Sequence, residues 1–165
     1  MPEEPVAEGP RQLAEGIQIR PATEDEIEEL LPLMRAYCDF YEVSPTDEGV
    51  TTMARTLITE PSQGTVFIAR QDGRAIGFAT VDWKWSMLKG ARIGYLEDLF
   101  VDPAARGGGT ADALIQACAD RCRELGMPAM EWLTAPDNHR AQKVYNRTGA
   151  ESDTYVEYDL SLIHI

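Results

Sequence analysis

The chain has 165 residues, 44% of them hydrophobic and 26% charged, the balance of a folded domain with a core of its own. Its 28 acidic residues against 15 lysines and arginines leave a formal net charge of -13, which argues against nucleic acid as a partner and suits attraction of cations. No apolar run approaches the roughly 20 residues of a membrane helix, so no membrane partner is expected and the expected setting is cytoplasmic.

Residues 1–16 carry Pro, Glu and Gly without periodicity and read as a flexible leader before a single domain over residues 17–165. Residues 17–20 alternate apolar with polar, as a first strand does. Thr23 with Glu26 makes a capping box that opens a helix with Ile27, Leu30, Leu31, Met34, Cys38 and Tyr41 on its apolar face. A second short helix is expected over about residues 48–57. Residues 65–70 and 75–86 form a hairpin around Asp72-Gly73. A turn at Leu88-Lys89-Gly90 then leads into a third antiparallel strand over residues 92–101.

That strand carries Glu97 and Asp98, then runs into Arg106-Gly107-Gly108-Gly109-Thr110-Ala111 and a helix. Three glycines leave a turn almost bare of side chains, so its N–H groups and the positive end of the helix dipole can meet a phosphate. Ala111, Leu114, Ile115, Cys118, Cys122 and Leu125 recur at helical spacing until Gly126 and Pro128 stop the helix. A strand over residues 129–134 should then pair parallel with residues 92–101 through a right-handed crossover. Asn138 caps a last helix running to about Thr148, and residues 155–162 alternate as a final strand. Cys38, Cys118 and Cys122 lack metal-ligand spacing, and His139 and His164 stand alone, so neither a metal site nor a Ser-His-Asp triad is expected.

The run from Arg106 to Ala111 resembles the Arg/Gln-x-x-Gly-x-Gly/Ala motif of the GNAT acetyltransferase superfamily, and the element order over residues 17–162 is similar to that fold. The resemblance implies an α+β GNAT acyl-CoA N-acyltransferase fold: a mostly antiparallel sheet with one splayed parallel strand pair and helices on both faces. It implies acetyl-CoA as cosubstrate, with pantetheine along Leu99, Phe100 and Val101. Pyrophosphate would lie on Arg106, Gly107, Gly108, Gly109, Thr110 and Ala111, with Asn138 also at the cofactor. Asn138, Ala141 and the stretch Val144-Tyr145-Asn146-Arg147-Thr148-Gly149-Ala150 resemble the family's closing motif, with Val144 and Ala150 where it has aromatics. Tyr145 keeps the place of the tyrosine that protonates the departing thiolate.

An amine with a pKa of about 10.4 pays roughly 4.6 kcal/mol to free its lone pair at pH 7, so a base is needed. Glu97 and Asp98 lie on opposite faces if their strand is regular. The stretch Gly94-Tyr95-Leu96-Glu97-Asp98-Leu99-Phe100-Val101, with Arg121-Cys122-Arg123, resembles the diamine (spermidine/spermine) acetyltransferase branch. That resemblance implies Glu97 as base through water and Asp98 as holder of the amine. Trp83 and Tyr41 are further candidates for the acceptor wall. The expected reaction is direct attack of a primary amine of a small cationic substrate, polyamine or lysine-like, on acetyl-CoA. The alternatives are acetylation of a protein N-terminus or an antibiotic amine, or a CoA-binding module without catalysis. The family commonly dimerises, which leaves room for a homodimer.

Overall fold

Five strands form one sheet in the order β1-β2-β3-β4-β5 in the computed structural model, which describes residues 9–163. They are β1 (Ile17–Pro21), β2 (Gly64–Gln71), β3 (Arg74–Ser86), β4 (Ala91–Val101) and β5 (Met130–Glu131), antiparallel except for the parallel β4–β5 pair. Residues 1–8 of the expected leader and the last two residues lie outside the described residues.

Alternation along the strands feeds two cores. Val66 and Ile68 of β2 face α1 (Ile27–Phe40) and α2 (Asp47–Thr59), where Leu30, Leu33, Met34, Ala54 and Phe78 close one layer. Phe67 and Ala69 point the other way, with Val81 and Leu96, onto Leu114, Ile115, Cys118 and Cys122 of α3 (Thr110–Glu124). Helices thus cover both faces, as expected. In α1 the buried stripe is Ile27, Leu30, Leu33 and Met34; Leu31 is one 100° step off it and only half-buried, and Tyr41 lies past the helix end, exposed. Leu125 likewise caps α3 from outside and is exposed. The β2–β3 turn has Asp72 at φ 51° and Gly73 at φ 80°, the left-handed pair a two-residue hairpin requires.

Two expected strands differ. Residues 129–134 shrink to Met130–Glu131, which pair with Gly94 and Tyr95 and then leave the sheet, because β4 bulges at Glu97 and turns away. Residues 155–162 are exposed and form no strand. Their alternation has the right period, but a two-residue β5 offers no edge long enough to pair with. The last helix, α4 (His139–Asn146), also ends two residues before the expected Thr148.

Glu26 fastens β1 and β2 to the start of α1. Its buried carboxylate accepts from Arg20 at 2.6 Å, Arg70 at 2.7 Å and the Thr23 N–H at 3.0 Å. Burial alone would raise its pKa, but these donors outweigh it and hold the carboxyl at about 2. A depressed carboxyl stabilises the fold above its unfolded pKa and loses that contribution as pH falls toward 2. Thermal denaturation should therefore show about 3 kcal/mol of stability lost between about pH 4.5 and pH 2. In Glu26→Gln most of that slope should vanish; an unchanged slope would mean the acid sensitivity lies elsewhere.

Candidate active site

In the β3–β4 ladder Thr80 faces Asp98 and Val81 faces Leu96, so Glu97 is an extra residue with no partner, a β-bulge. The bulge resets the alternation. Thr80 Oγ1 donates to Asp98, while Asp82, two residues along the same face of β3, is hydrogen-bonded to Glu97. Glu97 and Asp98 therefore reach the same side of the sheet, not opposite sides as a regular strand would place them. Tyr37 of α1 leans on both: its hydroxyl donates to the Glu97 carbonyl oxygen at 3.4 Å and is hydrogen-bonded to Asp98.

Three carboxylates so close cannot all ionise freely. Partial burial, with the charges of Asp82 and Asp98, pushes Glu97 up to about 7, although the residue is exposed. Of the three, Glu97 is the one whose proton is held most readily, with the Asp82 carboxylate as its hydrogen-bond acceptor when it is protonated. Burial raises Asp82 and Tyr37 as well. The only local mark of Asp82 in the sequence is that it is a lone acid between Val81 and Trp83 in an apolar strand.

Beyond Tyr37 opens a cavity of about 780 Å³, bounded by Tyr37 of α1, Tyr41 just past that helix, the end of β4, the glycine turn and α4. Every expected cofactor residue lines it except Gly108: Leu99, Phe100, Val101, Arg106, Gly107, Gly109, Thr110, Ala111 and Asn138. Because β5 pairs only with Gly94 and Tyr95, the edge of β4 over Leu99, Phe100 and Val101 has no partner strand among the described residues. Gly107 and Gly109 take φ of 94° and 75°, and none of the Gly107, Gly108 or Gly109 N–H groups donates to a described residue. At the first position of α3, Thr110 Oγ1 is buried without a partner. Arg106 donates to the Val101 carbonyl at 3.2 Å, and burial together with the charge of Arg140 pulls its pKa down. Bare N–H groups, an orphaned hydroxyl and two mutually repelling cations are a donor set for a polyanionic phosphate, so the residues present fit CoA.

From α4, Tyr145 lines the cavity and packs edge-on against Trp132 with centroids 5.5 Å apart; burial, with Tyr41 nearby, pushes its phenol up to about 12. Tyr41 lines the same cavity, 5.0 Å from the Tyr37 ring. Asn138 Oδ1 accepts from the Ala141 N–H at 3.2 Å, capping α4. Trp83 is not brought to the cavity: it packs on the α3 side of the sheet, and its Nε1 donates to the Pro61 carbonyl at 2.9 Å. Cys118 and Cys122 are buried under α3, and burial raises both thiols. No group of three His, Cys, Asp or Glu side chains among the described residues could hold a metal ion.

The model of the acetyltransferase (GNAT) family matches residues 30–150, a span that takes in the bulge, the glycine turn and Tyr145. The chain belongs to the GNAT family. With that membership come acetyl-CoA as cosubstrate and N-acetyl transfer as the activity. Among curated relatives, this GNAT chain is 29% identical over 147 residues to the uncharacterized N-acetyltransferase YhfO of Bacillus subtilis, covering 88% of this chain and 98% of that one. It is 33% identical over 123 residues to the D-amino-acid N-acetyltransferase HPA3 of Saccharomyces cerevisiae, covering 73% of this chain and 76% of that one. Among solved structures, the aminoglycoside N-acetyltransferase AAC(6')-Iy in complex with CoA superposes with a TM-score of 0.78 at 25% identity, covering 93% of this chain and 99% of that chain. No helix among the described residues is long and apolar enough to cross a membrane.

Proposed function

We propose that this GNAT enzyme acetylates a primary amine of a small cationic acceptor, a polyamine or lysine-like molecule, at the Asp82–Glu97–Asp98 cluster. The observation that carries the reading is the bulge, which gathers three carboxylates beside Tyr37 at the margin of the cofactor cavity. Such a cluster favours an acceptor with more than one positive charge over one whose carboxylate lies beside its only amine. The relative named for aminoglycosides supports a polycationic amine; the one named for D-amino acids supports amine acceptors more broadly.

The cofactor supplies an acyl thioester that an amine can attack, with a thiolate as leaving group. Asp98, anchored by Thr80 and Tyr37, holds the ammonium. Glu97, with a pKa of about 7, is matched to accept the amine's proton near neutrality, directly or through water. Tyr145 lines the cavity. A phenol at about 12 is a weaker acid than a thiol of about 8.5, so complete proton transfer would run uphill by about 5 kcal/mol. Its better role is a hydrogen bond to the departing sulfur, with the proton following from solvent. Burial raises the thiols of Cys38, Cys118 and Cys122, and none of the three lines the cofactor cavity, which favours direct attack without an acyl-enzyme.

A thiol-release assay with acetyl-CoA over diamines, polyamines, lysine analogues, aminoglycosides, D-amino acids and N-terminal peptides tests this reading. Diamines, polyamines or lysine analogues should give kcat/KM at least tenfold above D-amino acids and peptides. A preference for D-amino acids, or CoA binding without turnover on any amine, would overturn it.

A further inference from the structure

Residues 9–16 form no helix or strand, yet they are tied across the back of the glycine turn. The Ala14 N–H donates to the Gly108 carbonyl at 2.8 Å, the Gln12 carbonyl lies against Gly109, and Ala14 and Ile17 pack on Gly108. This accounts for the one turn glycine that does not line the cavity: Gly108 faces the crossing segment. One residue earlier, the Arg11 N–H donates to Asp112 Oδ2 at 2.7 Å. Asp112 is buried in the first turn of α3 and also accepts twice from Arg147, the residue that follows α4, at 2.6 and 3.0 Å.

The backbone of Arg11 is thus pinned at a residue that lines the cofactor cavity. Eight arginines of the chain make salt bridges to described carboxylates, Arg147 among them. Arg11, Arg106, Arg140 and Lys143 make none among the described residues, and all four line this cavity. In a chain of net charge -13, four cations without a salt bridge among the described residues, gathered at one cavity, favour an anion there; Asp102 and Asp112 act on the Arg106 and Arg11 guanidinium groups only as nearby charges. Asp112 is paired directly with Arg147 and meets the Arg11 guanidinium only as a nearby charge, so the Arg11 side-chain donors stay open to the cavity.

We propose that Arg11 is a phosphate ligand of the enzyme, holding the nucleotide end of CoA from the segment that crosses the glycine turn. The proposal rests on the cofactor assignment above and adds to it a residue far from the motif in sequence. A pinned backbone makes Arg11 a preorganised donor, so less entropy is lost when it binds a phosphate.

Calorimetric titration of the full chain with CoA, 3′-dephospho-CoA and pantetheine, beside the melting temperature without ligand, tests it. In Arg11→Gln the Kd for CoA should rise roughly tenfold, with the melting temperature and pantetheine binding unchanged, and Arg11→Lys should recover part of the loss. A loss for CoA but not for 3′-dephospho-CoA assigns Arg11 to the 3′-phosphate; a loss for both assigns it to the pyrophosphate. Unaltered CoA affinity in Arg11→Gln, or an equal loss for pantetheine, overturns the proposal. Wild-type protein that fails to bind CoA at all would overturn the cofactor assignment itself, and this proposal with it.

Discussion

Glu97→Gln should lower kcat/KM on the preferred amine by about 10²- to 10⁴-fold, the usual worth of a positioned general base. The pH profile makes the test specific. In the proposed role Glu97 works ionised, and with its carboxyl pushed up to about 7 wild-type kcat/KM should rise with pH to about 7 and then level with respect to this group. Below that value activity should fall about tenfold for each pH step, because only the shrinking ionised fraction can take a proton. Glutamine cannot titrate, so this limb should disappear in the variant along with most of the rate. Asp82→Asn should move the limb to lower pH, since the charge that disfavours Glu97 ionisation is then gone. Tyr145→Phe should cut kcat while leaving the limb where it is. A limb that survives in Glu97→Gln would assign the proton to another group.

Gly109→Ala is the second large effect, and it acts through the cofactor. Gly109 sits at φ 75°, where an L side chain is strained by roughly 1 kcal/mol. An added Cβ would also overlap the Gln12 carbonyl oxygen and lie 2.9 Å from its carbon. Both are backbone atoms, so no rotamer relieves the clash. The crossing segment must lift, releasing the Ala14–Gly108 hydrogen bond and displacing Arg11. CoA affinity should fall by tenfold or more, with a lower melting temperature, both read from titration and thermal denaturation. Gly107→Ala is the control: its φ is 94°, but nothing lies within 4 Å of its Cβ, so it should lose only the strain energy. If the two variants behave alike, packing of residues 9–16 does not shape the turn.

The features legible in the sequence are those whose causes are local. Asp72-Gly73 announces its hairpin because two left-handed residues are demanded there, and the Thr23–Glu26 capping box needs only four residues. The three glycines before an amphipathic helix mark the phosphate turn for the same reason. The site beyond it depends on register, which no local pattern encodes. Whether Glu97 and Asp98 share a face is decided by one unpaired residue against Thr80 and Val81 on another strand, and Asp82 joins them only through that pairing. Arg11 and Asp112 meet across 101 positions, and Arg147 reaches the same carboxylate from the other side of the motif. The segment at residues 155–162 shows the converse: a good strand pattern is not a strand without an edge to complete it.

The separation of charge along the cleft, acidic at the bulge and basic at the glycine turn, also bears on how a turnover ends. Acetylation converts an ammonium into a neutral amide, so the proposed acceptor loses, in the act of reacting, the charge by which Asp82, Glu97 and Asp98 held it. The spent cofactor keeps all its phosphates and its grip at the other end. Release is thereby built into the chemistry at one pole only: the amide should depart first and compete poorly with fresh amine, leaving the exchange of CoA for acetyl-CoA as the slower reset of the enzyme.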